Sequence, residues 1–193
     1  MKLILIRHAD CLKEELDPSL SKMGILQAKL LAKRLYKLPI TKVYVSDLNR
    51  AFQTFEEYHK LAADVPFEKT KDLREIYRVL VGGAPKEGTS PTRESDDKER
   101  IEFFIKQISS MNNNENVVLF THGNVIKYLL ARFLESDSRK IGPPLYIASA
   151  SISLVDIDKD GVNIKFINNT EHLTNEQSSN SYFLNKKDNN YLA

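Results

Sequence analysis

The chain predicts an α/β fold: a three-layer α/β/α sandwich around a largely parallel central sheet, with an antiparallel hairpin at one edge. Three observations carry this expectation. Continuous apolar runs at Leu3–Ile6 and Val117–Phe120 have the composition of strands covered on both faces. Strand-like and helix-like segments alternate as far as Leu134, the pattern of parallel strands joined by helical crossovers. Serine and isoleucine then alternate in Ser149–Val155, D-I-D-K-D-G makes a turn, and Val162–Ile167 returns as a hairpin.

The elements follow in order. After the Leu3–Ile6 strand, Pro18 and Ser19 prepare a helix over Ser21–Lys37, with Ile25, Leu26, Leu30 and Leu35 at helical spacing and Pro39 closing it. Val43, Tyr44 and Val45 mark a strand at Lys42–Ser46. Asp47 is placed to cap a helix running to about Ala63, with Leu48, Ala51, Phe52, Phe55 and Tyr58 on its apolar side. Phe67–Ile76 reads as a short strand leading into a loop, and Gly82–Asp97 as a long loop rich in breakers, the kind that more often carries function than not. A helix over Glu99–Met111, an Asn-rich turn, the Val117–Phe120 strand and a helix over Asn124–Leu134 complete the alternation. That last helix turns Val125, Ile126, Leu129, Leu130 and Phe133 inward. Residues 1–174 form one domain, and residues 175–193 a polar, Asn-rich tail.

Composition sets the outer limits. The 193 residues suit one domain with a sizeable core, and 41% hydrophobic with 28% charged residues is an ordinary globular balance. A formal charge of +2 gives no global reason to bind nucleic acid or an anionic membrane, so neither is expected as a partner. The single cysteine, Cys11, excludes an internal disulfide and a multi-cysteine metal site and suits a reducing compartment. Leu3–Ile6 is too short for a signal-peptide core, so the expected location is the cytoplasm.

Three polar signals stand at the C-terminal ends of expected strands: Arg7-His8, Ser46 leading to Arg50, and Thr121-His122-Gly123-Asn124. In open α/β sheets this edge is where ligands bind. Two arginines and two histidines gathered there would repel one another unless an anion lay among them. Phosphate fits, because guanidinium forks match its oxygens, and Gly123 and Asn124 open a helix whose N–H groups and dipole point the same way. His59, in E-E-Y-H-K, reads as a surface residue, His172 as a packing or capping residue, and Cys11 as a spectator thiol. No metal site is expected, since histidines beside arginines are a poor nest for a divalent cation.

The motifs L-I-R-H-A-D, L-S-K-M-G-I-L-Q-A (Leu20–Ala28), V-S-D-L-N-R-A-F-Q-T (Val45–Thr54), L-R-E (Leu73–Glu75) and V-V-L-F-T-H-G-N-V-I (Val117–Ile126) resemble, in family order, those of the histidine phosphatase superfamily, the phosphoglycerate-mutase-like enzymes. A weaker echo lies at Ile167–Leu173. The resemblance implies a phosphoglycerate-mutase-like fold and a phosphomonoesterase needing no cofactor and no metal. By it, His8 is the nucleophile and becomes a transient phosphohistidine. Arg7, Arg50 and His122 hold the phosphoryl oxygens, with Gly123 and Asn124 lining the phosphate site. Glu75 is the general acid and then the base, with Asp72, Glu68 and the acids of the Gly82–Asp97 loop as the other carboxyls within reach of that role.

Two departures narrow the resemblance. Position 9 is Ala where many relatives have Gly, and position 14 is Glu where many mutases and metabolite phosphatases have Asn. With the mutase insert also missing, both favour a phosphatase over the alternative, a phosphoglycerate mutase. The nearest branches are the mutase-like Ser/Thr protein phosphatases and the small phosphohistidine phosphatases. An alternative of another class is a non-catalytic phospho-ligand or scaffold protein, but such a protein has no use for both nucleophile and acid. The substrate expected is a phosphorylated small molecule or phosphoprotein, chosen by the loops Asp10–Pro18 and Arg74–Asp97, where Arg74, Arg78, Lys86 and Arg93 could receive further anionic groups. The Ser149–Ile167 hairpin offers a sheet edge for a homodimer.

Overall fold

In the computed structural model, residues 1–13, 17–111 and 114–178 are described. Six strands form one sheet in the order β3-β2-β4-β1-β5-β6. The strands are β1 (Lys2–Arg7), β2 (Lys42–Ser46), β3 (Phe67–Thr70), β4 (Asn116–Thr121), β5 (Ile152–Asp158) and β6 (Gly161–Asn169). The first four run parallel. β5 pairs antiparallel with β1, and β6 returns antiparallel to β5 at the outer edge.

Side chains alternate across each strand, so a strand without polar positions must face two cores. In β1, Leu3 and Leu5 enter one core and Ile4 and Ile6 the other; in β4, Val117 and Leu119 part in the same way from Val118 and Phe120. The Leu3 face is covered by α3 (Arg93–Ser109), through Ile101, Phe104 and Ile108, and by α4 (Gly123–Phe133), through Val125, Ile126, Leu129 and Leu130. The Ile4 face is covered by α1 (Lys22–Leu35), through Ala28, Leu31, Ala32 and Leu35, and by α2 (Asn49–His59), through Phe55 and Tyr58. The expected three layers are present. The helices that follow the adjacent parallel strands β1 and β4 leave to opposite faces, which opens a crevice at the C-terminal ends of these two strands.

Several local expectations are corrected. α1 does not bury Ile25 or Leu26, which are 42% and 41% exposed; it packs through Gly24, Gln27, Ala28, Leu31, Ala32 and Leu35. The small residues Gly24, Ala28 and Ala32, four apart, select that face because they let the helix come close. A Cβ on Gly24 would stand 1.9 Å from the Asp10 carbonyl oxygen. Asp47 does not cap α2. Its carboxylate accepts Nε and Nη2 of Arg74, both at 2.7 Å, while Asp17 accepts the Asn49 N–H at 2.9 Å from outside. α2 also ends at His59, and His59 is no surface residue: its ring stacks on Phe55 at 5.3 Å and meets Phe67 edge-on at 5.0 Å.

The breaker-rich loop is shorter than expected, because α3 starts at Arg93 rather than Glu99. Glu94 and Asp96 favour its positive N-terminal end, and Arg93–Asp97 and Asp97–Arg100 pair along one face. The hairpin strand begins at Ile152, after Ala150 takes a positive φ of 55°. Two short elements were not anticipated, a 3-10 turn at Arg78–Val81 and α5 (Ser138–Ile141). Gly82, at φ 77°, ends the turn where a Cβ would meet the Arg139 carbonyl oxygen at 2.3 Å. Gln27 Nε2 donates to the Gln177 carbonyl at 2.6 Å, which lays the start of the expected tail against α1. Residues 179–193 of that tail, and Glu14, lie outside the described residues. No helix among the described residues is long and apolar enough to cross a membrane.

Candidate active site

The β1–β4 register places Arg7 beside Thr121, and the His8 N–H donates to the Thr121 carbonyl at 2.9 Å. Two residues remote in sequence, His8 and His122, are thereby neighbours at the mouth of the crevice, with ring centroids 5.2 Å apart. Both are buried, His8 at 6% and His122 at 0% exposure.

The His8 ring is oriented from two sides. Nδ1 lies 2.7 Å from the Ala9 carbonyl, which can only accept, so this nitrogen carries the proton. Nε2 accepts Arg50 Nε–H at 3.2 Å, so this nitrogen is the unprotonated one. Burial first, then the Arg7 guanidinium, hold this imidazole down at about 3, neutral at any ordinary pH. Ala9 itself is held by Thr54, whose hydroxyl accepts the Ala9 N–H at 3.0 Å and donates to the Arg50 carbonyl at 2.7 Å. One side chain of α2 thus ties the His8–Ala9 segment to the arginine four residues earlier. The Arg50 guanidinium also faces Asp17 at 3.6 Å.

His122 ends β4 and stands just before α4. Its Nε2 is 2.9 Å from the Ser46 hydroxyl, while its Nδ1 is buried with no hydrogen-bond partner among the described residues. Burial, then His8 and the arginines, hold its imidazole well below the usual range. Arg7 donates through Nη1 to the Ile147 carbonyl and keeps Nε buried and unpartnered. Gly123 lies against that guanidinium: a Cβ there would be 3.6 Å from Arg7 Nε, an ordinary van der Waals contact.

Glu75 comes from the loop after β3. Its Oε1 accepts the Asn124 N–H at the start of α4, at 3.1 Å. Burial lifts this carboxyl to about 7 against the pull of Arg7 and Arg50. Lys127, one turn along α4, is half-buried, its ammonium lowered by burial and by Arg7. All seven residues singled out from the sequence (Arg7, His8, Arg50, Glu75, His122, Gly123 and Asn124) therefore meet at one place.

Others do not join them. His172 lies against the α1 side of the sheet, where burial and Arg34 lower its imidazole to about 4. Cys11 bridges to Leu20, and burial raises its thiol. Arg74 and Arg93, read as places for further anions, are already engaged: Arg74 by Asp47, Arg93 by Asp97 and by the Glu75 carbonyl at 2.9 Å. Sequence reasoning placed Ser46 at the strand edge without its link to His122, and missed Thr54 and Asp17 as supports. Thr54 had a usable signal, since it lies four residues after Arg50 on the expected helix. Among the described residues, no group of three or more His, Cys, Asp or Glu side chains is placed to hold a metal ion.

Comparison with known proteins bears on the same residues. A Schizosaccharomyces pombe protein described as a probable phosphatase is 26% identical over 92% of this chain and 98% of its own length. The mitochondrial serine/threonine-protein phosphatase Pgam5 of Drosophila mojavensis is 32% identical over 90% of this chain, which spans 66% of that protein. The fold is shared with Bacillus stearothermophilus YhfR, at a TM-score of 0.74, 22% identity, and 89% and 98% coverage of the two chains. The family model of the histidine phosphatase superfamily (branch 1) matches residues 3–94 and 82–170, taking in every residue of the crevice, and the chain belongs to that superfamily of phosphatases and mutase-like proteins.

Proposed function

We propose that the chain is a metal-independent phosphomonoesterase that works through a phosphohistidine on His8. The observation that carries this reading is the opposite treatment of two groups in one crevice. His8 is kept neutral with Nε2 unprotonated and only a long hydrogen bond from Arg50 upon it, while Glu75 is kept protonated up to about pH 7. Groups pushed apart in this way are suited to be nucleophile and acid.

In the first step, His8 Nε2 attacks phosphorus in line and a P–N bond forms. The bond from phosphorus to the leaving oxygen breaks, and Glu75 gives that oxygen its proton. In the second, water attacks the phosphohistidine with the Glu75 carboxylate taking its proton; the P–N bond breaks, inorganic phosphate leaves, and Glu75 is again protonated. Arg7 and Arg50 supply the fixed positive charge that the three equatorial oxygens need; Arg7 Nε is an unpartnered donor for the same oxygens, and His122 Nδ1 becomes one when the Ser46 hydroxyl donates to Nε2. With charge supplied by guanidinium groups, the chemistry asks for no metal.

The test uses p-nitrophenyl phosphate with EDTA present, followed by rapid quench. The expected results are turnover and acid-labile phosphate on His8, both absent in His8→Ala. Absence of turnover and labelling in the unmodified protein would sink the enzyme. For the mutase alternative, efficient isomerisation of 3-phosphoglycerate with bisphosphoglycerate would overturn the choice of phosphatase.

A further inference from the structure

The main chain around Glu75 is gripped along one face of α3, while Thr121 Oγ1 holds the Leu73 carbonyl at 2.8 Å and Asp47 pairs with the Arg74 side chain from the other side. Arg93, Asp97 and Arg100 lie four and three residues apart, so their side chains leave the helix on the same side. Arg100 Nη1 donates to the carbonyls of Lys71, Asp72 and Arg74 at 2.9, 2.8 and 3.1 Å. Arg93 Nη2 donates to the Glu75 carbonyl at 2.9 Å, and Asp97 Oδ2 accepts the Tyr77 N–H at 2.8 Å. The three side chains are joined to one another through Asp97, which accepts Arg93 Nε on one oxygen and Arg100 Nη2 at 2.6 Å on the other. Asp97 is buried at 5% exposure, and two guanidinium groups meet its carboxylate there.

We infer that Arg93, Asp97 and Arg100 form a positioning clamp that sets the backbone of Glu75 for proton donation to the leaving oxygen, an inference that rests on Glu75 being the acid. The clamp grips the main chain on both sides of Glu75 and leaves the side chain free for its task. The Asn124 N–H at the start of α4 then orients the carboxylate end. None of the three clamp side chains contributes to phosphate binding. Arg93 belongs to the loop region where sequence alone suggested a welcome for extra anions, yet it faces the acid's own backbone.

A displaced acid has a distinctive kinetic signature. Proton donation matters when the leaving oxygen is basic and hardly at all when it is not. The parameter to follow is kcat/KM, which reports the chain of events through P–N bond formation and is blind to the later hydrolysis of phosphohistidine. Arg93→Gln is the main variant, since the Arg93 side chain is 46% exposed and its loss leaves no large cavity. Asp97→Asn is the second.

Both should lose about 10- to 100-fold in kcat/KM on phenyl phosphate, the range expected when a catalytic group is misplaced by about an ångström. On 2,4-dinitrophenyl phosphate they should stay within about threefold of the unmodified protein, because that leaving group needs no proton. Vanadate affinity should be unchanged for both. Equal losses on the two substrates, or no loss on either, would overturn the clamp. Glu75→Gln on the same pair separates the two ideas. If Glu75→Gln itself shows no selectivity for the poor leaving group, the acid is misassigned. If it shows that selectivity and Arg93→Gln does not, the clamp alone is wrong.

Discussion

At the residue scale, the chemistry depends on what surrounds two side chains rather than on the side chains themselves. His8 and Glu75 are both buried, and burial pushes each toward its neutral form, which is lower for an imidazole and higher for a carboxyl. On the proposed mechanism the acid limb therefore lies near pH 3, where His8 would gain a proton on Nε2, and the alkaline limb near pH 7, where Glu75 would lose the proton it donates. Turnover of a phosphate ester with a basic leaving group should accordingly fall as pH rises through about 7. In Glu75→Gln that alkaline fall should vanish, along with about 10²–10⁴-fold of the rate. A pH–rate profile of both proteins checks this, and an unchanged alkaline limb in the variant would place the titrating group elsewhere.

At the element scale, strands place the site and helices hold it. The polar ends of β1 and β4 were legible because each follows an unbroken apolar run; a charged pair at the end of such a run has few reasons to be there besides a ligand. The supports were less legible. Ser46 and Thr54 are ordinary residues for a strand end and a helix, and only the fold brings them to His122 and Ala9. The start of α3 was hidden because S-P-T-R-E-S-D-D reads as a polar loop until the Arg93–Asp97–Arg100 pairs form. α1 was read only partly correctly: Leu35 is buried, but apolar spacing also favours Ile25 and Leu26, whereas close approach favours Gly24, Ala28 and Ala32. That difference is testable. Gly24→Ala would gain about 1 kcal/mol of helix propensity, but its methyl meets the Asp10 backbone oxygen, a clash worth about 1–3 kcal/mol and one that backbone cannot relieve cheaply. The clash should win, lowering the urea midpoint of unfolding. Activity should fall too, because Asp10 lies two residues from His8. A raised midpoint would show that the loop gives way easily.

At the scale of the whole molecule, the functional burial of titratable groups makes stability depend on pH. His8, His122 and His172 all have folded values below 6.5, so the unfolded chain binds more protons than the folded one as pH falls below about 6.5. Their contribution is present above that pH and is lost on the way down toward pH 3 to 4. Glu75 acts in the opposite sense: its folded value near 7 means that the folded chain takes up a proton first, which stabilises it as pH falls from about 7 to 4.5. Three imidazoles outweigh one carboxyl, so the urea midpoint should be lower at pH 5 than at pH 7, and the drop should be smaller in His8→Asn. Equal midpoints at the two pH values would mean that the histidines are hydrated in the folded protein.

The sheet order has a last consequence, for the history of the chain as it is made. β4 lies between β1 and β2, so the strand that brings His122 to His8 is made more than a hundred residues after His8 itself. Until then the edge of β1 that will receive β4 has no partner, and Arg7 and Arg50 have no second histidine to work with. A shortened chain ending before β4 would hold His8, both arginines and even Glu75, and still have no crevice. Catalytic competence thus arrives late and all at once, with the insertion of a single strand.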